Sequence, residues 1–196
     1  MSHHIYQTNA FVLGSSDLGE ANKTLLLFTE ELGVLYAVAQ GIRLQKSKLK
    51  ASLQDFSYIR VCLVKGKEVW RLTSAEKLIS LYDKRLSLEA RKALAGILRF
   101  VQRMSPGEGK QKDLFEILTK LCAYVFQNKI DLAKIHLISV VAKFKILHVL
   151  GYGSGNDELV KRYQGSEWND ALIEGASKDE EALNRHNETA LRESHL

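Results

Sequence analysis

The chain has 196 residues, of which 45% are apolar, and a formal net charge of +5, so it is long and apolar enough to bury a core of its own. It has no run of about 18 uncharged apolar residues, and Met1-Ser2-His3-His4 is not a charged start leading into an apolar stretch; both points argue against a membrane span or a secretory signal and place the chain in the cytosol. Two cysteines, Cys62 and Cys122, exclude a disulfide framework or a four-cysteine zinc site, and the single proline, Pro106, excludes a proline-rich linker.

The charge is unevenly spread. Residues 1–72 carry nine basic and six acidic side chains, residues 73–150 fourteen and seven, and residues 151–196 five and ten, giving +3, +7 and −5. A basic body of +10 is therefore half masked by an acidic final segment, and an anionic partner suits the body.

The first third alternates with the period of β-structure. Ile5–Leu13, Lys23–Thr29, Val34–Gln40, Ser57–Val64 and Glu68–Thr73 are five candidate strands rich in Val, Ile, Leu, Thr, Tyr and Phe. The links Glu30–Gly33 and Lys65–Lys67 are short enough for hairpins, with glycine able to adopt positive φ. Five strands in about 70 residues, joined this way, suit a small closed barrel better than a sheet with crossover helices. Period two places Ile59, Val61 and Leu63 toward the core and Tyr58, Arg60 and Cys62 on the opposite face.

After Thr73 the period becomes helical. Ser87 is the N-cap of a helix with a stripe of Leu88, Leu94, Ile97, Leu98 and Val101 that stops at Ser105-Pro106-Gly107. A second helix carries Leu114, Ile117, Leu118, Leu121, Val125 and Phe126. Asp131 caps a third, running to about Leu150, which is apolar nearly all round, as a central bundle helix should be. Gly151 to Gly155 ends it, Asp157–Gln164 suits a short helix, and residues 177–196 are polar enough to read as frayed helix or a flexible tail.

The densest functional signal is the loop after the third strand. Between Gln40 and Arg71 stand eight basic residues, Arg43, Lys46, Lys48, Lys50, Arg60, Lys65, Lys67 and Arg71, against Asp55 and Glu68. Such a cluster neutralises phosphates without reading sequence, and Tyr58 beside Arg60 would add a base-stacking surface of the kind used for single strands. The alternative reading is a solubilising loop with ordinary hairpin turns. Lys143 and Lys145 interrupt the apolar third helix. Either they extend to the surface, or with Phe144 and His148 they form an apolar groove with a basic rim for a short acidic peptide with a hydrophobic anchor.

Catalytic readings find no support. The six histidines show no ligand spacing with a cysteine or with a second histidine on one helix face, apart from His3-His4, so no metal site is expected. Gly151-x-Gly153-x-Gly155 follows a helix rather than a strand and reads as a stop, not a phosphate loop. No nucleophile, base or cofactor motif appears, and an enzyme is the least supported class.

Phe11-Val12-Leu13, Lys23 to Gly33, Gly41-Ile42-Arg43 with Lys46-Ser47, Leu53-Gln54-x-Phe56 and Leu72-Thr73-Ser74-Ala75-Glu76 resemble, in order and spacing, the RecO family of DNA repair and recombination mediators. Phe144 to Tyr152 resembles that family's later helix ending in Gly-Tyr. The resemblance implies an α+β chain: an N-terminal five-stranded OB-fold barrel (residues 1–76), an all-α helical domain (77–176) and a polar tail (177–196). It implies binding of single- and double-stranded DNA, annealing of complementary strands, and loading of RecA with RecR on DNA coated by single-stranded-DNA-binding protein, with no covalent chemistry and no cofactor. It gives the Lys143/Lys145 region a ligand, the acidic Phe-ending tail of single-stranded-DNA-binding protein, and implies a bacterial cytoplasmic protein that joins the nucleoid during repair.

Three departures stand out. Residues 153–164 lack the paired cysteines that many members carry, so zinc is not expected; Asp55 stands where proline is usual; and the chain is shorter than typical beyond residue 155. Two other functions compete: an interaction adaptor whose DNA binding is incidental, and an RNA-binding OB-fold, which would prefer RNA at equal salt.

Overall fold

The computed structural model describes residues 4–105, 107–153 and 157–194. They form two compact units, one of Met1–Asp83 with Pro106–Gln111 and one of Lys84–Ser105 with Lys112–Leu196.

The first unit is built on five strands, β1 (Ile5–Leu18), β2 (Asn22–Thr29), β3 (Gly33–Ala39), β4 (Tyr58–Lys65) and β5 (Trp70–Ile79). They pair as a closed ring in the order β1-β2-β3-β5-β4. β1 does the closing. Its first half, Ile5 to Phe11, pairs antiparallel with β4, and its second half, Ala10 to Leu18, pairs with β2. The last contact in the ring is a short parallel one, Ala37–Ala39 against Trp70–Leu72. This is the five-stranded topology that the spacing of strands and turns leads one to expect.

Alternation sorts the side chains. Ile59, Val61 and Leu63 are buried in one core with Val12, Leu25, Leu27, Leu35, Ala37 and Leu72, as period two requires. Two strands outrun their apolar stretches. β1 continues through Ser15-Ser16-Asp17 and β5 through Ser74 to Ile79, because an antiparallel ladder pairs backbone groups whatever the side chains are. The expected domain boundary at residue 76 therefore falls inside β5, and the unit runs to Asp83.

The short β3–β5 contact leaves the start of β3 without a β5 partner, and residues 107–109 fill that gap. The Val34 N–H donates to Gly107 O at 3.0 Å, the Gly109 N–H donates to Leu32 O at 3.0 Å, and Gly33 bridges Glu108. Glu108 also accepts from the Trp70 indole at 3.3 Å. Gly33 is needed twice over: its φ is +73°, and a Cβ there would lie 2.1 Å from Gly109 O. The other hairpin glycine, Gly66, does not take positive φ; it is glycine because a Cβ would lie 2.8 Å from Val69 O.

The second unit is helical, with α1 (Leu88–Met104), α2 (Lys112–Gln127), α3 (Leu132–Val149), α4 (Asp157–Tyr163) and α5 (Asp170–Glu193). Ser87, Asp131 and Asn169 cap α1, α3 and α5 by accepting from the N–H groups of Ala90, Lys134 and Leu172. α3 is central and buries Ile138, Val140, Val141, Phe144, Ile146 and Leu147. Leu88 does not belong to the buried stripe of α1: as first residue of the helix it is 57% exposed.

Residues 177–194 are not a tail. They are the greater part of α5, whose narrow stripe of Ile173, Ala176, Leu183, Asn187 and Ala190 is buried. The Asn187 amide donates to Val140 O at 3.1 Å, and His136 meets Glu180 at 2.8 Å, tying α5 to α3. Small and polar side chains make up so much of this stripe that mean apolarity conceals it.

Gly33→Ala is expected to destabilise the barrel unit by about 3 kcal/mol through positive φ and the clash with Gly109 O. Gly14→Ala, where a Cβ meets nothing within 4 Å, should stay within about 0.5 kcal/mol of the parent. Urea denaturation midpoints of the two variants check the pair.

Candidate nucleic-acid interface

Residues 40–57 connect β3 to β4 as a chain of turns pinned from beneath. Ile42 and Leu53 enter the barrel core and Leu49 packs against it, while the Lys77 ammonium holds Ala51 O at 2.9 Å. Pinning the apolar residues leaves the basic ones between them outside: Arg43, Lys46, Lys48 and Lys50 are all exposed.

One end of this loop meets the β1–β2 hairpin. The Arg43 N–H donates to Ala21 O at 3.0 Å and the Gly41 N–H to Asn22 Oδ1 at 2.9 Å. The Arg43 guanidinium donates to Gly19 O at 2.7 Å and lies 3.3 Å from the Asp17 carboxylate, which also sits 3.7 Å from Lys23 Nζ. Between hairpin and loop lies a cleft of about 600 Å³, lined by Lys23, Arg43 and Lys50, floored by Ile42 and Leu53, and bordered by Gln54, Asp55 and Tyr82. Arg43 is thus held in place, whereas Lys46, Lys48 and Lys50 form no ion pair among the described residues.

The remaining expected residues fall elsewhere on the barrel. Arg60 is exposed on the outer face of β4 and lies 3.4 Å from Glu76. Tyr58 is half-buried with its ring 4.8 Å from that of Phe11, so one face is already covered. Lys65 stands five residues beyond Arg60, about 17 Å along the strand. Its ammonium lies 5.1 Å from the Trp70 ring and 3.8 Å from Glu108. Lys67 and Arg71, beside it, form no ion pair among the described residues. The nine residues therefore form two groups, one at the β3–β4 loop and one at the β4–β5 hairpin, with Arg60 between them.

Residues 1–81 match the family model described as recombination protein O N terminal. The barrel unit is similar to the N-terminal part of recombination protein O. Relatives named DNA repair protein RecO include one from Dehalococcoides mccartyi, 30% identical over 115 residues, covering 59% of this chain and 46% of the relative. Others come from Alkaliphilus metalliredigens, 28% identical over 131 residues (67% and 53%), and Clostridium novyi, 26% identical over 149 residues (76% and 57%). The chain spans about half the length of the curated relatives it matches.

Sequence order concealed several residues of the cleft. Asp17 and Lys23 precede Arg43 by 26 and 20 positions and Tyr82 follows Lys50 by 32; only the fold of the barrel brings them together. Cys62 belongs to the barrel unit and Cys122 to the helical one, where burial pushes its thiol up to about 12, and among the described residues no group of three His, Cys, Asp or Glu could hold an ion. No helix among the described residues is long and apolar enough to cross a membrane.

The helical unit corrects the peptide-groove expectation. Phe144 is fully buried and cannot line a groove, with the His186 ring 4.6 Å from its own. Lys143 is exposed, but Lys145, two positions on and about 200° around the helix, is 2% exposed. Its ammonium donates to Tyr163 O at 2.9 Å and Gly165 O at 2.8 Å and lies 5.4 Å from the Trp168 ring. It closes the C-terminal end of α4, where carbonyls lack helical partners and favour a cation. Lys145 and the half-buried His148 do share a cleft of about 520 Å³, but Asp113 and Glu116 line it too, so its rim is mixed rather than basic.

Burial pushes the Lys145 ammonium down to about 8, with the Glu167 carboxylate partly opposing. A lysine whose folded value lies below its unfolded one costs stability while both states are charged. That cost is relieved as pH rises from 8 toward 10.5, where the unfolded state binds more protons. Thermal unfolding of the parent should gain stability over this window relative to Lys145→Met. At pH 7 Lys145→Met should still be destabilised by about 2 kcal/mol, because two carbonyls lose their donor.

Proposed function

We propose that the barrel unit binds nucleic acid strands through their phosphates and that the chain acts in DNA repair and homologous recombination as a mediator without covalent chemistry. The observation that carries this reading is the set of cations without ion-pair partners among the described residues: Lys46, Lys48, Lys50, Lys67 and Arg71, at two edges of one barrel. Five cations with no carboxylate of their own are held together against mutual repulsion, and a polyanion relieves it while releasing counterions. The OB topology supports the same reading, since the β1–β2 and β4–β5 loops of that fold are where strands are bound, and both border cationic residues here.

Phosphate contacts of this kind leave bases exposed. Two complementary strands held on such a surface have their repulsion screened and their Watson–Crick edges accessible, which is all that annealing requires. The reading therefore covers single- and double-stranded DNA and annealing. It extends to loading of RecA with RecR on DNA coated by single-stranded-DNA-binding protein, and to contact with that protein's acidic tail. Those partners rest on the resemblance alone; the buried Phe144 and Lys145 leave only Lys143 and His148 of the expected peptide contacts within reach.

Changing Arg43, Lys46, Lys48 and Lys50 together to Glu should abolish binding of a short single strand measured by fluorescence anisotropy. Changing the same four to Ala should reduce the slope of log affinity against log salt by about 3, and between 50 and 200 mM salt the parent should lose about 50-fold more affinity than the alanine variant. Unchanged affinity in the glutamate variant removes this surface from the proposal, and preference for RNA at equal salt turns the reading to RNA.

A further inference from the structure

We propose that Tyr36, on the outer face of β3, is a stacking platform for one unpaired base of a bound strand, with Arg71 and Lys67 of the β4–β5 edge holding the phosphates beside it. The inference rests on the strand-binding reading above and deepens it from phosphates to bases.

Alternation fixes where the ring points. Leu35 and Ala37 are buried in the barrel core, so Tyr36 between them projects outward, and it is 65% exposed. By the same parity Trp70 and Leu72 are core residues and Arg71 between them projects outward. The parallel pairing sets Val38 against Arg71, which puts the Cα atoms of Tyr36 and Arg71 about 8 Å apart on one face. Arg71 Nε lies 4.0 Å from where a Cβ on Gly66 would stand, so the guanidinium leans back to the hairpin, toward the level of Tyr36. Val69, exposed one position before Trp70, adds an apolar flank at that level.

These groups are uncommitted. Among the described residues the Tyr36 ring has no aromatic partner and its hydroxyl no hydrogen bond, and neither Glu68 nor any other carboxylate pairs with Lys67 or Arg71. Other tyrosines of the barrel are already engaged: Tyr58 has one face covered by Phe11, and Tyr6 meets Trp70 edge to face. β3 is paired with β2 through Tyr36 and Leu26 and with β5 from Ala37 onward. The ring therefore stands on a fixed sheet, and a tyrosine has only two side-chain torsions to order when a base settles on it.

An exposed tyrosine alone is no site. Here it shares a face with free cations, a ring for the base and a guanidinium for the phosphate, which is how single-strand sites without sequence preference are built. The face of the second and third strands and the loop between the fourth and fifth are also where this barrel topology binds oligonucleotides. Stacking covers the face of a base and leaves its Watson–Crick edge open, so the platform is compatible with annealing. A duplex offers phosphates but no free base face, and the platform therefore favours single strands.

The test measures the full chain's affinity by fluorescence anisotropy at fixed salt for a twenty-nucleotide dT oligomer, an abasic strand of the same length and a duplex of that length. Tyr36→Ala should weaken dT binding about tenfold and leave the abasic strand and the duplex within about twofold of the parent. Tyr36→Phe, which keeps the ring, should bind all three as the parent does. Lys67→Ala with Arg71→Ala should weaken all three, since each carries phosphates; circular dichroism confirms that each variant is folded. A Tyr36→Ala variant that keeps the parent's dT affinity, or that loses all three ligands alike, overturns the platform while leaving strand binding intact. So does a parent that binds the abasic strand as tightly as dT. Absence of parent binding to any of the three overturns the strand-binding reading and the platform with it.

Discussion

The double pairing of β1 is the constraint on which the barrel unit depends. A single strand of 14 residues reaches β4 with one half and β2 with the other, and without that reach the five strands would form an open sheet with two edges. Closure buries one core and forces the ends of the strands into loops at the rim. Because β1 runs on past its apolar stretch as far as Leu18, the β1–β2 turn reaches Arg43, which donates to Gly19 O and Ala21 O. The cleft lies where this hairpin meets the β3–β4 loop.

The same closure explains a weakness and its remedy. Only three residues of β3 pair with β5, so the ring is thin at that seam. Residues 107–109 supply the missing backbone partners, and Glu108 joins Trp70 and Lys65 there. The cation at the β4–β5 hairpin thus belongs to a small structural cluster as well as to a basic surface, whereas Lys67 and Arg71 remain uncommitted. Local ion pairing, more than the count of basic residues, separates the cations that hold the fold from those that face solvent.

In the helical unit buried polar groups play the corresponding part. Lys145 closes α4 through two carbonyls, Asn187 holds α5 to Val140 O, and the Trp168 indole donates to Ile117 O. Each sits at a position where pattern alone expects either an apolar residue or a solvent-facing one. A buried lysine beside Phe144 looks in sequence like a basic rim next to an apolar anchor; in space the two are parts of one interior.

By itself the sequence determined the strand periodicity, the inward set of Ile59, Val61 and Leu63, the caps Ser87 and Asp131, and the family resemblance of the barrel, because these are local or ordered along the chain. It also located the basic loop. Tertiary structure alone decided which cations share a cleft, since Asp17, Lys23, Arg43 and Tyr82 are joined by strand pairing across more than sixty positions. It decided the fate of residues 177–194, whose narrow stripe of Leu183, Asn187 and Ala190 gains its meaning only against α3. And it decided Lys145, because the chemistry of a lysine is set by what surrounds its ammonium, and here two carbonyls and a tryptophan ring have replaced water.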